Sequence, residues 1–246
     1  MPRPRLSLCM VVRNEAERLP GCLKALKAAV DEIVVVDTGS KDATPRIALA
    51  SGARLLRTKW QDDFRAPREL SFRAATGDWI LFLDADERIS PRDLPRLRGL
   101  MRHADAWRFE QRTYGGGWTT LGGNALIVRL FRNLPGLRTS NRVHADVAPW
   151  LQARRLHIRQ APFSLHHRQD RSPAAMRRRL AAYLRMNRLQ VREDPSDAWA
   201  WRDLGALQIR RDPAEACRCL RKSLALRPDV EAERLLALAR MAAAGR

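Results

Sequence analysis

Asp84-Ala85-Asp86-Glu87 follows directly on the apolar run Trp79-Ile80-Leu81-Phe82-Leu83. Two carboxylates one residue apart, leaving the carboxyl end of a buried strand, can point together at a metal ion and at the group it bridges. Hard oxygen donors of this kind suit Mg²⁺ or Mn²⁺ better than zinc, and a diphosphate adds more of them. The same spacing also arises in ordinary Asp-rich turns after strands, so its weight comes from what stands upstream. Asn14-Glu15 follows the apolar run Leu6 to Val12, and Asp37 follows Ile33-Val34-Val35-Val36. Ligands of open α/β sheets sit at the carboxyl ends of strands. Three polar groups are therefore expected on one rim.

The intervening residues supply the frame. Leu19, Cys22, Leu23, Leu26 and Val30 fall on one face of a helix over residues 15–30. Thr44-Pro45 opens a second helix that Gly52 stops, and residues 53–56 make a third short strand. Residues 68–75 read as another helix before the fourth strand at 79–83. Alternating strand and helix over the first 86 residues predicts an α/β fold with a mostly parallel sheet. Ser90-Pro91 is expected to cap and open a helix to about Met101, with strands at 106–113 and 125–131. Between those strands, Tyr114-Gly115-Gly116-Gly117-Trp118 is either a loop that closes over a ligand or a plain hairpin turn.

The last third changes character. Residues 174–192 and 198 onward are rich in helix formers, with Pro195 and Pro213 as punctuation. Trp201, Leu204, Gly205, Ala216, Leu220, Ser223 and Pro228 follow the tetratricopeptide order, with the inter-helix turn one residue short. Two units are expected, 1–170 and a helical extension 171–246. The extension reads as a structural cap or as a docking element for a partner.

Lys and Arg number 46 against 27 Asp and Glu, a formal net charge of +19. Such a field attracts polyanions, whether nucleic acid, anionic headgroups or phosphorylated small molecules. The basic residues are spread through the chain, which argues against a dedicated nucleic-acid arm. Cys9, Cys22, Cys217 and Cys219 form no Cys-x-x-Cys pair and no zinc spacing with the five histidines. They read as buried reduced thiols of a cytosolic protein. Arg13-Asn14-Glu15 cuts the first apolar run short of a cleavable signal, and no run reaches the roughly 18 apolar residues that a membrane span needs. A cytoplasmic location is expected, with any membrane association peripheral at the inner face.

Three segments together resemble family 2 glycosyltransferases. They are Leu8-Cys9-Met10-Val11-Val12-Arg13-Asn14-Glu15, Val35-Val36-Asp37-Thr38-Gly39-Ser40-Lys41-Asp42 and Gly77-Asp78-Trp79-Ile80-Leu81-Phe82-Leu83-Asp84-Ala85-Asp86-Glu87. The resemblance is firm over roughly the first 90 residues and extends more loosely to Arg129-Leu130-Phe131-Arg132-Asn133 and Val143-His144. It points in particular to the branch with lipopolysaccharide-core glucosyltransferases and bacteriocin S-glycosyltransferases, where a tetratricopeptide-like tail is also seen. The resemblance implies the GT-A fold, Rossmann-like with helices flanking the sheet, and sugar transfer from a nucleotide diphosphate with inversion. It implies that Val12, Glu15 and Asp37 hold the nucleoside, Asp37 accepting a hydrogen bond from the base. Asp84 would contact ribose or donor sugar, and Asp86 would bind Mn²⁺ or Mg²⁺, which offsets charge developing on the departing diphosphate.

Arg68 matches an arginine near the diphosphate in such enzymes, or is a helix-surface arginine. His144 reads as a further metal ligand or as a structural histidine, and His166-His167 as the same or as the end of the domain. Inversion needs a base. Relatives commonly carry Val-His-Glu where this chain has Val143-His144-Ala145, which leaves Asp146 as the nearest substitute and Glu110 as a more distant one. Relatives also carry Phe-Ser-x-x-Arg-Asn where this chain has Phe64-Arg65-Ala66-Pro67-Arg68-Glu69, so Pro67 is expected to disturb a helix start or to restrict the residue before it. The donor favoured is a UDP-sugar. The acceptor reads as a cell-envelope glycan, glycolipid or peptide, and the positive charge suits a lipid-linked or lipopolysaccharide precursor. The alternatives are a catalytically silent sugar-nucleotide-binding scaffold with a partner-binding tail and, with no recognition motif behind it, a basic nucleic-acid-binding protein.

Overall fold

The computed structural model describes residues 3–114, 125–170 and 172–245. The chain divides into two compact units. The first contains residues up to Ser140 and His144–Asp170, and the second contains Asn141–Val143 and residues from 171 onward.

In the first unit β1 (Leu6–Val12), β2 (Glu32–Asp37), β3 (Arg54–Arg57) and β4 (Trp79–Phe82) pair in parallel, in the order β3-β2-β1-β4. Every residue of β4 and nearly all of β1 and β2 are buried, because helices cover both faces. Alternate side chains of β1 go to opposite cores: Leu6, Leu8, Met10 and Val12 to one, Cys9 to the other. Helices α1 (Leu19–Leu26) and α2 (Thr44–Ala50) bring Leu19, Leu23 and Ala48 to the first core. Helix α3 (Arg65–Ala74) brings Phe72 to the second, edge-on to Phe82 and Phe131.

Beyond β4 the sheet becomes mixed. β7 (Ala125–Arg132) pairs with β4 and with β6 (Ala106–Thr113). β9 (Leu165–His167) runs parallel to β6 and antiparallel to β5 (Glu87–Ile89), and β8 (Ile158–Gln160) also joins β6. The mostly parallel sheet flanked by helices agrees with the expected fold class.

Several local expectations change. Helix α1 starts only at Leu19, with Pro20 in its first turn, because residues 15–18 form a turn closed by the Glu15 carbonyl. Helix α4 (Leu94–Leu100) starts after Ser90, whose carbonyl accepts from the Asp93 and Leu94 amides; Pro95, not Pro91, stands in its first turn. Pro67 sits in the first turn of α3, where its missing N–H would have had no intrahelical partner, so the helix forms without disturbance. Helix α5 (Ala148–Ala153) and strands β5, β8 and β9 were not expected; the three strands have only three residues each, too few to show a period. The glycine loop 115–117 lies outside the described residues.

The second unit contains α6 (Pro173–Glu193), α7 (Ala198–Gln208), α8 (Pro213–Leu226) and α9 (Val230–Ala244). Ser172, Asp197, Asp212 and Asp229 each cap one of them through a side-chain oxygen. Residues of the tetratricopeptide order meet at the α7–α8 contact: Leu204, Ala216, Leu220 and Ser223 are buried, and the Ser223 hydroxyl donates to the Ala198 carbonyl. A Cβ on Gly205 would lie 2.6 Å from Leu220, so glycine is what allows these helices their close approach. Among the described residues no helix is long and apolar enough to cross a membrane.

Candidate functional site

Register builds the rim. Val12 stands opposite Asp37 across β1 and β2, and Cys9 opposite Phe82 across β1 and β4, so the three strands deliver their carboxyl ends together. The Thr38 amide and hydroxyl both donate to the Val12 carbonyl. Asp37 is buried at the strand end and accepts from the Ser40 amide and hydroxyl, at 3.1 and 2.5 Å. Gly39 makes that turn with φ of 101°, a value that favours glycine.

Across from it, Asn14 adopts φ of 56°, donates its amide to Ser40 Oγ and accepts the Lys41 amide on its side chain. The Glu15 amide donates to Thr44 Oγ1. Burial, and then the charge of Asp86, push the Glu15 carboxyl up. Glu15 is thus electrostatically coupled to the β4 end. The three groups that sequence spacing placed on one rim share it.

The Asp84–Glu87 turn is fixed from beneath. Glu87 is fully buried and accepts from the Asp84 amide at 3.0 Å and from Gln111 Nε2 at 2.5 Å. Arg129 of β7 grips it bidentately, Nε to Oε2 at 3.1 Å and Nη2 to Oε1 at 2.9 Å, and the same Nη2 reaches Asp84 Oδ2 at 3.1 Å. Arg68 approaches Asp84 at 3.8 Å. Both guanidinium groups lie over the Phe82 ring, Arg68 at 4.5 Å and Arg129 at 5.2 Å. Glu87 and Arg129 are the residues here to which sequence reasoning gave no role. For Arg129 the signal is a charged residue inside the otherwise apolar run Leu126-Ile127-Val128-Arg129-Leu130-Phe131.

Asp86 faces another way. His167 Nε2 lies 3.2 Å from Asp86 Oδ2, Thr113 holds the other ring nitrogen at 3.2 Å, and the Arg168 amide donates to the Asp86 carbonyl. Pairing of β5 with β9 places Glu87 opposite His167, which brings that ring to the turn. Burial opposes charge on both members, yet their mutual attraction outweighs it. The Asp86 carboxyl is held below its usual range, and the His167 imidazolium persists above its usual one.

His166 points differently, its Nδ1 2.5 Å from the Tyr114 hydroxyl. His144 is exposed, and its backbone carbonyl, with that of Ala145, accepts from Arg68 Nη1. Arg68 is buried in these contacts and does not lie on the helix surface. Asp146 stands two residues ahead of α5, and its Oδ1 accepts the Ala148 amide at 2.9 Å; burial works against the Arg129 charge, which Glu87, then Asp84 and last Asp146 hold up. Glu110 accepts from Ser164 Oγ and Arg112 Nε. Glu69, where relatives carry Asn, accepts the Thr139 amide and hydroxyl and so anchors the segment that leads to His144. Among the described residues no group of three or more His, Cys, Asp and Glu side chains is gathered for a metal ion.

The family model described as "Glycosyl transferase family 2" matches residues 7–146. A TPR repeat-containing protein of Synechococcus elongatus is 46% identical over 143 residues, covering 57% of this chain and 34% of its own length. The prophage-derived glycosyltransferase SunS of Bacillus subtilis is 31% identical over 101 residues, 40% of this chain and 24% of its own. The chain therefore spans about a third or less of these curated relatives. Among solved structures, S. aureus TarS 1-349 in complex with UDP-GlcNAc superposes with a TM-score of 0.58 at 14% identity, over 97% of this chain and 88% of that one. Glucosyl-3-phosphoglycerate synthase of Mycobacterium tuberculosis, in complex with Mn²⁺, UDP and glucosyl-3-phosphoglycerate, superposes at 0.54 and 20% identity, over 74% and 80%.

Proposed function

Because the chain belongs to glycosyl transferase family 2, we propose that it is a metal-dependent transferase that moves a sugar, with inversion, from a nucleotide diphosphate to a cell-envelope acceptor. The observation that carries this reading is the convergence of Glu15, Asp37, Asp84 and Asp86 at the ends of β1, β2 and β4, with Arg129 and Glu87 locking the Asp84–Glu87 turn. UDP or a UDP-sugar is the favoured donor, a reading supported by the TarS and mycobacterial complexes.

In this reading Asp37 and the Val12–Glu15 segment hold the nucleoside, and Asp84 contacts ribose or sugar. A Mn²⁺ or Mg²⁺ ion fits the hard oxygens of Asp86 and a neutral His167, with the donor's own diphosphate supplying further ligands. When bound, the ion offsets charge on the departing diphosphate. Burial raises the Asp84 carboxyl, and Arg129 and then Arg68 oppose that rise and aim the side chain. Asp146 is the base candidate, two residues ahead of α5, and an acceptor that ionises readily would ask least of it. The helical unit serves as a cap or a docking element.

The test is calorimetric titration of UDP and GDP with Mn²⁺, repeated with excess chelator and with Asp86→Ala. Metal-dependent binding of UDP that Asp86→Ala abolishes in a folded protein is expected. Equal binding in chelator, or unchanged Mn²⁺-dependent binding in the variant, would overturn the metal role of Asp86.

A further inference from the structure

Helix α6 (Pro173–Glu193) presents an exposed basic stripe that the transferase reading does not use. Arg178, Arg185 and Arg192 recur at two-turn intervals, and Arg177 and Arg188 flank that line, all five exposed. At 100° per residue they lie within roughly 60° of one line, which runs about 21 Å from Arg178 to Arg192. Glu193 is the helix's one acidic residue, at its last position and off that line. Among the described residues Arg177, Arg178, Arg188 and Arg192 make no ion pair. The opposite face is the one that folding consumes, with Met186, Asn187 and Gln190 buried.

Such a row fits a surface of phosphate groups, since guanidinium forks pair with phosphate oxygens bidentately. The other residues on the line are Ala174, ahead of the arginines, and Ala181, between them. The stripe therefore carries neither a large apolar wedge to enter a bilayer nor an aromatic platform on which bases stack. Arginines alone, in a flat row, favour the headgroup plane of an anionic bilayer over a nucleic-acid strand. We propose that the exposed face of α6 docks this protein on anionic lipid headgroups by a salt-reversible electrostatic contact, without insertion. The proposal stands apart from the donor site and does not depend on its activity.

The experiment is co-sedimentation of the full chain with phosphatidylcholine vesicles holding 0 or 30% phosphatidylglycerol, at low and high salt, with a single-stranded RNA of 30 nucleotides as competitor. The variant Arg177→Gln/Arg178→Gln/Arg188→Gln/Arg192→Gln is set against a charge-matched control, Arg221→Gln/Lys222→Gln/Arg234→Gln/Arg240→Gln, drawn from exposed positions of α8 and α9. At roughly fivefold per arginine near a charged surface, the α6 variant should lose about two to three orders of magnitude in affinity, and the control far less. Circular dichroism confirms that both are folded. Three results would overturn the proposal: no binding to the anionic vesicles, equal losses in the two variants, or displacement by RNA at concentrations below the vesicle Kd.

Discussion

Arg129→Met removes both charge-assisted bonds to a fully buried Glu87 and one to Asp84. Two neutral donors, the Asp84 amide and Gln111, remain on Glu87. Stripping one partner from a buried pair costs about 3–5 kcal/mol. Urea unfolding reads it, followed by tryptophan fluorescence in a background with Trp199 and Trp201 replaced by Phe, so that the remaining tryptophans report on the first unit. With m near 2 kcal/mol/M the midpoint should drop by about 1.5–2 M at pH 7. Adding Glu87→Leu should recover most of the loss, since an apolar pair leaves no buried charge. A penalty under about 1 kcal/mol would refute the view that Arg129 neutralises the support beneath Asp84.

Three further outcomes are expected. His167→Ala should weaken Mn²⁺-dependent UDP binding and flatten its pH dependence; in the wild type binding should strengthen as pH rises through the raised His167 pKa, because the ligating form is neutral. Calorimetry across pH 5.5–8 gives both, and a pH profile the variant leaves unchanged would remove His167 from that role. Burial raises the Asp31 carboxyl, but the Leu6 amide, then Arg98 and Arg3, outweigh it and leave the pKa lowered. Its stability contribution is present above the unfolded carboxylate value and lost as pH falls through the lower folded one, so Asp31→Asn should cost no more than about 1 kcal/mol at neutral pH after solvent screening, and nothing in strong acid. Gly205→Val should destabilise the helical unit by about 1–3 kcal/mol, because its Cβ would start 2.6 Å from Leu220; an unchanged melting curve would show that α7 and α8 separate freely.

The strand-end half of the candidate site was legible in the sequence because its placement depends on local order. A buried parallel strand shows itself as an apolar run, and the residue that ends it lands on the ligand rim whatever the remainder of the chain does. Asp37, Asp84 and Asp86 were found that way. The tail likewise announced itself through helix formers, and its pattern residues meet between α7 and α8.

What lies across the sheet was decided by tertiary pairing. His167 meets Asp86 only because three-residue strands β5 and β9 pair, and segments that short carry no period to read. Arg129 reaches Glu87 because β7 runs antiparallel to β4, a non-local register set by neither segment alone. The departures at Pro67 and Glu69 looked like damage in one dimension. In three, the proline occupies a first helical turn that needs no amide, and the glutamate secures Thr139. Sequence by itself determined which residues stand at the strand ends and that a sheet would hold them. Only the folded chain decided which buried charges neutralise them, because burial and pairing are properties of neighbours in space.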